Sequence, residues 1–166
     1  MIFKNPVKGE IKLSTLDMEL LVGQFLNPRI NLIIPNVSWG FCIHECDLLC
    51  VTKNRYLWEV EIKISKSDLI KDKGKRHNHK NNKIKRLYFA IPDYLQSEIE
   101  HIPEPAGIIV VNTQNEYLYV KKIREAKQCG QYRITEREYI KLMHLGAMRI
   151  WGLKAKLQRL IEGVKK

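Results

Sequence analysis

Apolar residues recur along this chain with two periods. In STLDMELLVGQFLN, residues 14–27, Leu16, Leu20, Leu21 and Phe25 fall at helical intervals behind Ser and Thr capping candidates, which predicts a first amphipathic helix. NLIIPNVSWGFCIHECDLLCV follows, rich in β-branched and aromatic residues, and Pro35 divides it into a short segment and a long strand. Along that strand Val37, Trp39, Phe41 and Ile43 hold the odd positions, with Trp39 read as a core aromatic, and the same face runs on into Glu45 and Asp47. YLWEVEIKI reads as its partner, with Tyr56, Trp58, Val60, Ile62 and Ile64 on one side and Glu59, Glu61 and Lys63 on the other.

Downstream, SKSDLIKDKGKR opens with Ser65 and Asp68 in capping-box spacing and predicts a short basic helix. His77 to Asn82 reads as a polar loop, RLYFAIP as a buried strand stopped by Pro92, and DYLQSEIEHI as a short helix. AGIIVVN has the unbroken apolarity of a parallel strand buried on both faces, and YLYVKKI reads as an edge strand. Thr135 with Glu138 forms a capping box for a long last helix, in which Leu142, Met143, Ala147, Ile150, Trp151, Leu157 and Leu160 supply core-facing spacing, with Gly146 or Gly152 as a bend point. The order of elements predicts an α/β fold, a mixed β-sheet flanked by helices with a long C-terminal helix. With no repeat and no Gly/Ser-rich linker, residues 1–166 read as one domain.

The turn TKNR decides whether the charged groups can cooperate. A three-residue loop, Lys53 to Arg55, pairs residues whose numbers sum to 108, so Asp47 faces Glu61 and Glu45 faces Lys63. Opposed residues of an antiparallel pair hold their Cβ atoms about 5 Å apart on one face. A two-residue loop would shift the register by one and send the carboxylates to opposite faces.

Composition narrows the class. A hydrophobic content of 45% excludes a disordered chain, and no apolar run approaches the roughly 18 residues of a membrane span. MIFKNPVKGEIKLST lacks the apolar core of a signal peptide, so the expected setting is cytoplasmic, with no membrane partner. Cys42, Cys46, Cys50 and Cys129 contain no CxxC; residues four apart in a strand lie about 13 Å from each other, so small buried side chains explain the first three better than a zinc site with His44 does. The net charge is +11, and between Lys63 and Arg86 ten basic residues stand against two acidic ones. Polyanions, nucleic acid first, are the natural partners, and a solvated charged surface is the alternative.

An Asp on one strand facing Glu-x-Lys on the next is suited to a hard divalent cation, which takes carboxylate and carbonyl oxygens and leaves positions for phosphate and water. Asp47, Glu61 and the Ile62 carbonyl are the candidate ligands for Mg²⁺ or Mn²⁺. Lys63 is the candidate catalytic cation, with Glu59 and Glu45 supporting it. The alternative is a solvent-facing ladder of cross-strand ion pairs, each worth about 0 to 1 kcal/mol. Asp47 followed by Glu61-Ile62-Lys63, between an amphipathic helix and a basic one, resembles the PD-(D/E)XK nuclease superfamily. HECDLLCV, YLWEVEIKISKSDLIKD and LYFAIP resemble its MmcB-like DNA-repair proteins and related phage and bacterial proteins, over about residues 15 to 125. Cys46 stands where the motif name has Pro.

The resemblance implies a restriction-endonuclease-like sheet, a metal-dependent deoxyribonuclease activity with Asp47, Glu61 and Lys63 catalytic, and a role in DNA repair, recombination or mobile-element processing. It also implies a first-helix Glu beside the metal, for which Glu19 is the candidate. Lys66, Lys71, Lys75, Arg76, His77, His79, Lys80, Lys83, Lys85 and Arg86 are the expected contacts to duplex or branched DNA, through backbone phosphates. His144, Arg149 and Lys154 read as a solvated face of the last helix. A homodimer would suit cleavage of both strands. Two rival readings are a catalytically inactive nucleic-acid-binding accessory and a scaffold whose basic surface binds proteins.

Overall fold

Strand, helix and turn signals are answered almost element for element in the computed structural model, which describes residues 3–4, 12–37, 43, 45–72, 81–114 and 117–164. In chain order these are β1 (Phe3–Lys4), α1 (Thr15–Phe25), β2 (Leu32–Val37), β3 (Cys46–Val51), β4 (Leu57–Ile62), α2 (Lys66–Asp72), β5 (Ile84–Pro92), a 3₁₀ helix (Asp93–His101), β6 (Gly107–Asn112), β7 (Tyr117–Arg124) and α3 (Glu136–Val164). The strands form one mixed sheet in the order β1-β7-β6-β5-β4-β3-β2. β4, β5 and β6 run parallel to one another, and the other neighbouring pairs are antiparallel. This is the α/β mixed sheet flanked by helices that the pattern predicts, with the long helix last.

Helix starts follow the capping residues. Ser14 and Asp17 exchange the reciprocal bonds of a capping box at α1. The Asp68 N–H donates to Ser65 Oγ before α2. The Thr135 N–H donates to Glu138 Oε2 while the Glu138 N–H donates to Thr135 Oγ1 at the start of α3. Burial alone would raise the Glu138 pKa, but bonds from Lys83, the Thr135 N–H, Tyr132 and the Thr135 hydroxyl outweigh it and pull it down to about 2. The carboxylate that caps α3 is thereby tied to the start of β5.

The core lies on both sheet faces. Met18, Leu21 and Val22 of α1 pack with Leu48, Cys50, Val60, Ile62, Tyr88 and Ile109. On the other face Leu142 of α3 packs with Ile34, Leu49, Val51 and Leu57, and Leu69 of α2 packs with Phe89, Ile91 and Ile108. Gly107 allows the Tyr88 ring to lie against it, since a Cβ there would stand 2.4 Å from that ring.

Four expectations change. YLYVKKI is not an edge strand, because β7 lies between β6 and the short β1. Leu16, Leu20 and Phe25 are exposed, and of the four expected α1 positions only Leu21 is buried: helical spacing fits several rotations of the helix, and Met18 and Val22 set the actual one. β2 contains Pro35 instead of ending at it, because β2 is an edge strand and an edge residue can dispense with its N–H. The long strand is replaced by β2 and β3 as neighbours, with Val37 opposite Cys46. Trp39, Phe41, Cys42 and His44 lie outside the described residues.

The β3–β4 hairpin has the expected register. Leu48 pairs Val60, Leu49 pairs Glu59, Cys50 pairs Trp58 and Val51 pairs Leu57. The Thr52 N–H donates to the Tyr56 carbonyl and the Arg55 N–H to the Thr52 carbonyl, closing a three-residue loop. Arg55 takes φ 64°, the left-handed residue that such loops require. Its guanidinium bonds Glu136 at 2.6 Å and lies 3.8 Å from the Tyr139 ring centre, so α3 secures the turn. Deleting Asn54 is expected to abolish the cooperative thermal unfolding transition, because the shortened loop would turn Glu59 and Glu61 toward α1. Arg55→Gly, which keeps loop length and left-handed freedom, should retain that transition.

Candidate active site

The β3–β4 ladder ends at Leu48 and Val60, and Asp47 and Glu61 are the next residues on the two strands. Asp47 Oδ2 accepts the Ile62 N–H at 2.7 Å, a side chain standing in for the next rung of the sheet. Glu59 is 0% exposed, Glu61 2% and Lys63 8%. That burial excludes the solvent-facing ladder, since charges in such a ladder stay in water. Lys63 Nζ donates to Glu61 Oε2 at 2.7 Å, and the Lys63 N–H donates to the Ala90 carbonyl of β5. Lys63 Nζ also stands 6.0 Å from the Phe89 ring centre. β4 therefore delivers Glu59, Glu61 and Lys63 along one face because that face alternates against the Val60 and Ile62 face packed on α1.

Cys46 registers the local field. Burial pushes its thiol pKa up, and the charges of Glu59, Glu61, Asp47 and Glu45 push it further the same way. The thiol therefore stays protonated among four carboxylates. Glu19 of α1 belongs to the same neighbourhood. Partial burial raises its pKa, a 3.4 Å bond from Asn36 Nδ2 lowers it, and the Asp47 charge raises it. Glu45 is exposed, and the carboxylate bonded to Lys63 Nζ here is Glu61, two residues back on its own strand.

Asn36 is a participant that the sequence pattern did not single out. It takes φ 52°, donates to Glu19, and its carbonyl accepts from Arg149 of α3. One signal was available: Asn is among the few residues that adopt positive φ readily, and here it directly follows Pro35.

The basic run divides. Lys66 and Lys71 are exposed on α2, directly after the site, with Lys66 bonded to Glu98. Lys83, Lys85 and Arg86 are half-buried at the start of β5. Since Ile84 registers with Leu57 and Ala90 with Ile62, they stand at the hairpin end of the sheet, about 20 Å along the strands from Lys63. There Lys83 bonds Glu138 at 2.7 Å, Lys85 Nζ sits 3.2 Å from the Tyr56 ring centre, and Arg86 bonds Glu125. Lys75, Arg76, His77, His79 and Lys80 lie outside the described residues.

Among the described residues no three His, Cys, Asp or Glu side chains group closely enough to hold a metal ion by themselves. The donor set nevertheless suits a hard cation. Asp47 of β3 and Glu61 of β4 supply carboxylate oxygens, the kind and number of protein ligands Mg²⁺ accepts when substrate and water complete its shell.

No family model and no curated protein matches the chain. Among solved structures the chain is similar to SPO1766, a protein of unknown function from Silicibacter pomeroyi, with TM-score 0.59 and 16% identity, over 94% of this chain and 97% of that one. That likeness establishes a shared fold. No helix among the described residues is long and apolar enough to cross a membrane.

The Glu61–Lys63 pair also bears on stability, because removing one member of a buried ion pair leaves the other charge in an apolar setting. Lys63→Met should lower unfolding free energy by about 3 kcal/mol in urea titrations, and Glu61→Gln/Lys63→Met should recover most of that loss. Equal losses in the single and double variants would contradict the pairing.

Proposed function

We propose that the protein is a Mg²⁺ or Mn²⁺ dependent deoxyribonuclease of the PD-(D/E)XK type, akin to the MmcB-like proteins, acting in DNA repair, recombination or mobile-element processing. The observation that carries this reading is the shared burial of Glu59, Glu61 and Lys63 beside Asp47, whose carboxylate accepts the Ile62 N–H. Desolvating several ionised groups costs several kcal/mol each, and hydrophobic residues of similar volume would serve the fold at least as well. Retaining them is explained by chemistry done there.

Asp47 and Glu61 would hold the cation, with the Ile62 carbonyl at the strand end as a further ligand and Glu19 beside them. When bound, Mg²⁺ or Mn²⁺ supplies positive charge beside the phosphodiester and lowers the pKa of a water. Lys63 contributes a fixed ammonium. Its bond to Glu61 holds Nζ in one orientation, so the charge needs little rearrangement when negative charge grows on the phosphoryl oxygens. Glu59 and the protonated Cys46 line the same side. Lys66 and Lys71 on α2 extend positive potential from the site to backbone phosphates of duplex or branched DNA.

Supercoiled plasmid and a branched junction incubated with the protein and Mn²⁺ should be nicked, and chelator should stop the reaction. Asp47→Asn retains an acceptor for the Ile62 N–H and should reduce cleavage by roughly a hundredfold or more, with an unchanged thermal midpoint. Lys63→Gln should lose cleavage comparably. Cleavage retained in both variants would sink the proposal. Salt-sensitive DNA binding without cleavage, indifferent to chelator, would replace it with an inactive accessory.

A further inference from the structure

The last helix leaves the body of the protein halfway along. Leu142 is buried, Tyr139 and Leu145 are half-buried against the sheet, and Arg149 donates to the Asn36 carbonyl of β2. From Ile150 to Gly163 every residue is exposed while the helix continues unbroken. Met148, Trp151, Leu157 and Leu160, with Ile150 and Leu153, therefore lie in water. Of the positions whose spacing suggests a core face, only Leu142 is fully buried.

Their spacing is that of a coiled-coil seam. Ile150, Leu153, Leu157 and Leu160 follow one another at intervals of three, four and three, the a and d positions of a heptad, and are 57%, 59%, 58% and 67% exposed. They span a stripe about 100° wide or less, narrower than the face of a helix packed on a globular core. Lys154 follows the d position Leu153, and Lys156 precedes the a position Leu157. The e positions are thus Lys154 and Ile161 and the g positions Lys156 and Gly163, so the only charge on each flank is a lysine. Over residues 150–163 the charged residues are Lys154, Lys156, Arg159 and Glu162.

Charge selects the occupant. A second copy of this helix would set Lys154 against Arg149 in a parallel pair and lysine toward lysine in an antiparallel one, with no acidic e or g residue to offset either, whereas a helix with Glu or Asp at its e and g positions would form cross-seam ion pairs. We propose that residues 150–163 are the docking strand of a two-stranded coiled coil whose other strand is an acidic amphipathic helix of a different protein. The seam begins directly after Arg149, which bonds the Asn36 carbonyl, and serves to tether the domain to that partner.

The test uses fluorescein-labelled synthetic helices three heptads long, with Ile and Leu at a and d and either Glu or Lys at e and g, titrated with the full chain and followed by anisotropy. The Glu peptide should bind at least roughly tenfold more tightly than the Lys peptide. Leu153→Ser/Leu157→Ser should abolish binding without moving the thermal midpoint, since both side chains are exposed. Absence of binding by the Glu peptide, equal binding of both peptides, or binding that survives the double substitution would overturn the proposal. So would a dimer of the chain alone in sedimentation that the same double substitution dissociates, or binding to phosphatidylserine vesicles in place of the peptide.

Discussion

The three-residue loop from Lys53 to Arg55 sets the face on which every charge of the hairpin falls. Side chains alternate along a strand, so one residue more or less in that loop would exchange the two faces of β4 relative to β3. With the observed length, Val60 and Ile62 turn toward α1 while Glu59 and Glu61 take the opposite face with Lys63 bonded to Glu61. Arg55 at φ 64° makes the loop possible, and its contacts to Glu136 and Tyr139 bind the turn to the start of α3. Capping of that helix by Glu138, itself bonded to Lys83, extends the same restraint to β5.

Against this scaffold the ionic cluster is an expense to the fold that nothing in the packing requires. Leu49 and Leu57 on the same sheet face show what an ordinary core makes of such positions. Glu59, Glu61 and Lys63 are instead ionisable and buried, and the Cys46 thiol beside them has its pKa pushed up by burial and by the neighbouring carboxylates. A preorganised acid–base cluster in low dielectric has stronger effects on a reacting phosphate than the same groups in water. That is the physical reason to connect the burial with catalysis.

Much of this was legible from spacing. Period-two alternation, the loop length and the capping residues at the three helix starts gave the hairpin register and those starts, because each is a local rule. What escaped depends on tertiary placement. The a and d spacing of Ile150, Leu153, Leu157 and Leu160 is nearly the spacing of a core-facing helix, and spacing cannot say whether the body of the protein reaches that far. Leu16, Leu20 and Phe25 misled for a related reason, since several faces of α1 carry apolar residues. Lys83, Lys85 and Arg86 follow Lys63 closely in sequence, but the crossover to parallel β5 returns them to the opposite end of the sheet. Asn36 came to the site through backbone geometry, which no side-chain pattern encodes.

Calorimetric titration of Mn²⁺ into the protein and into Asp47→Asn bears most directly on the carboxylate pair. Saturable binding by the wild type that is lost in the variant, with both proteins equally folded, is the expected result. Equal binding in the two, or no binding by the wild type with or without DNA, would contradict a metal site formed by Asp47 and Glu61.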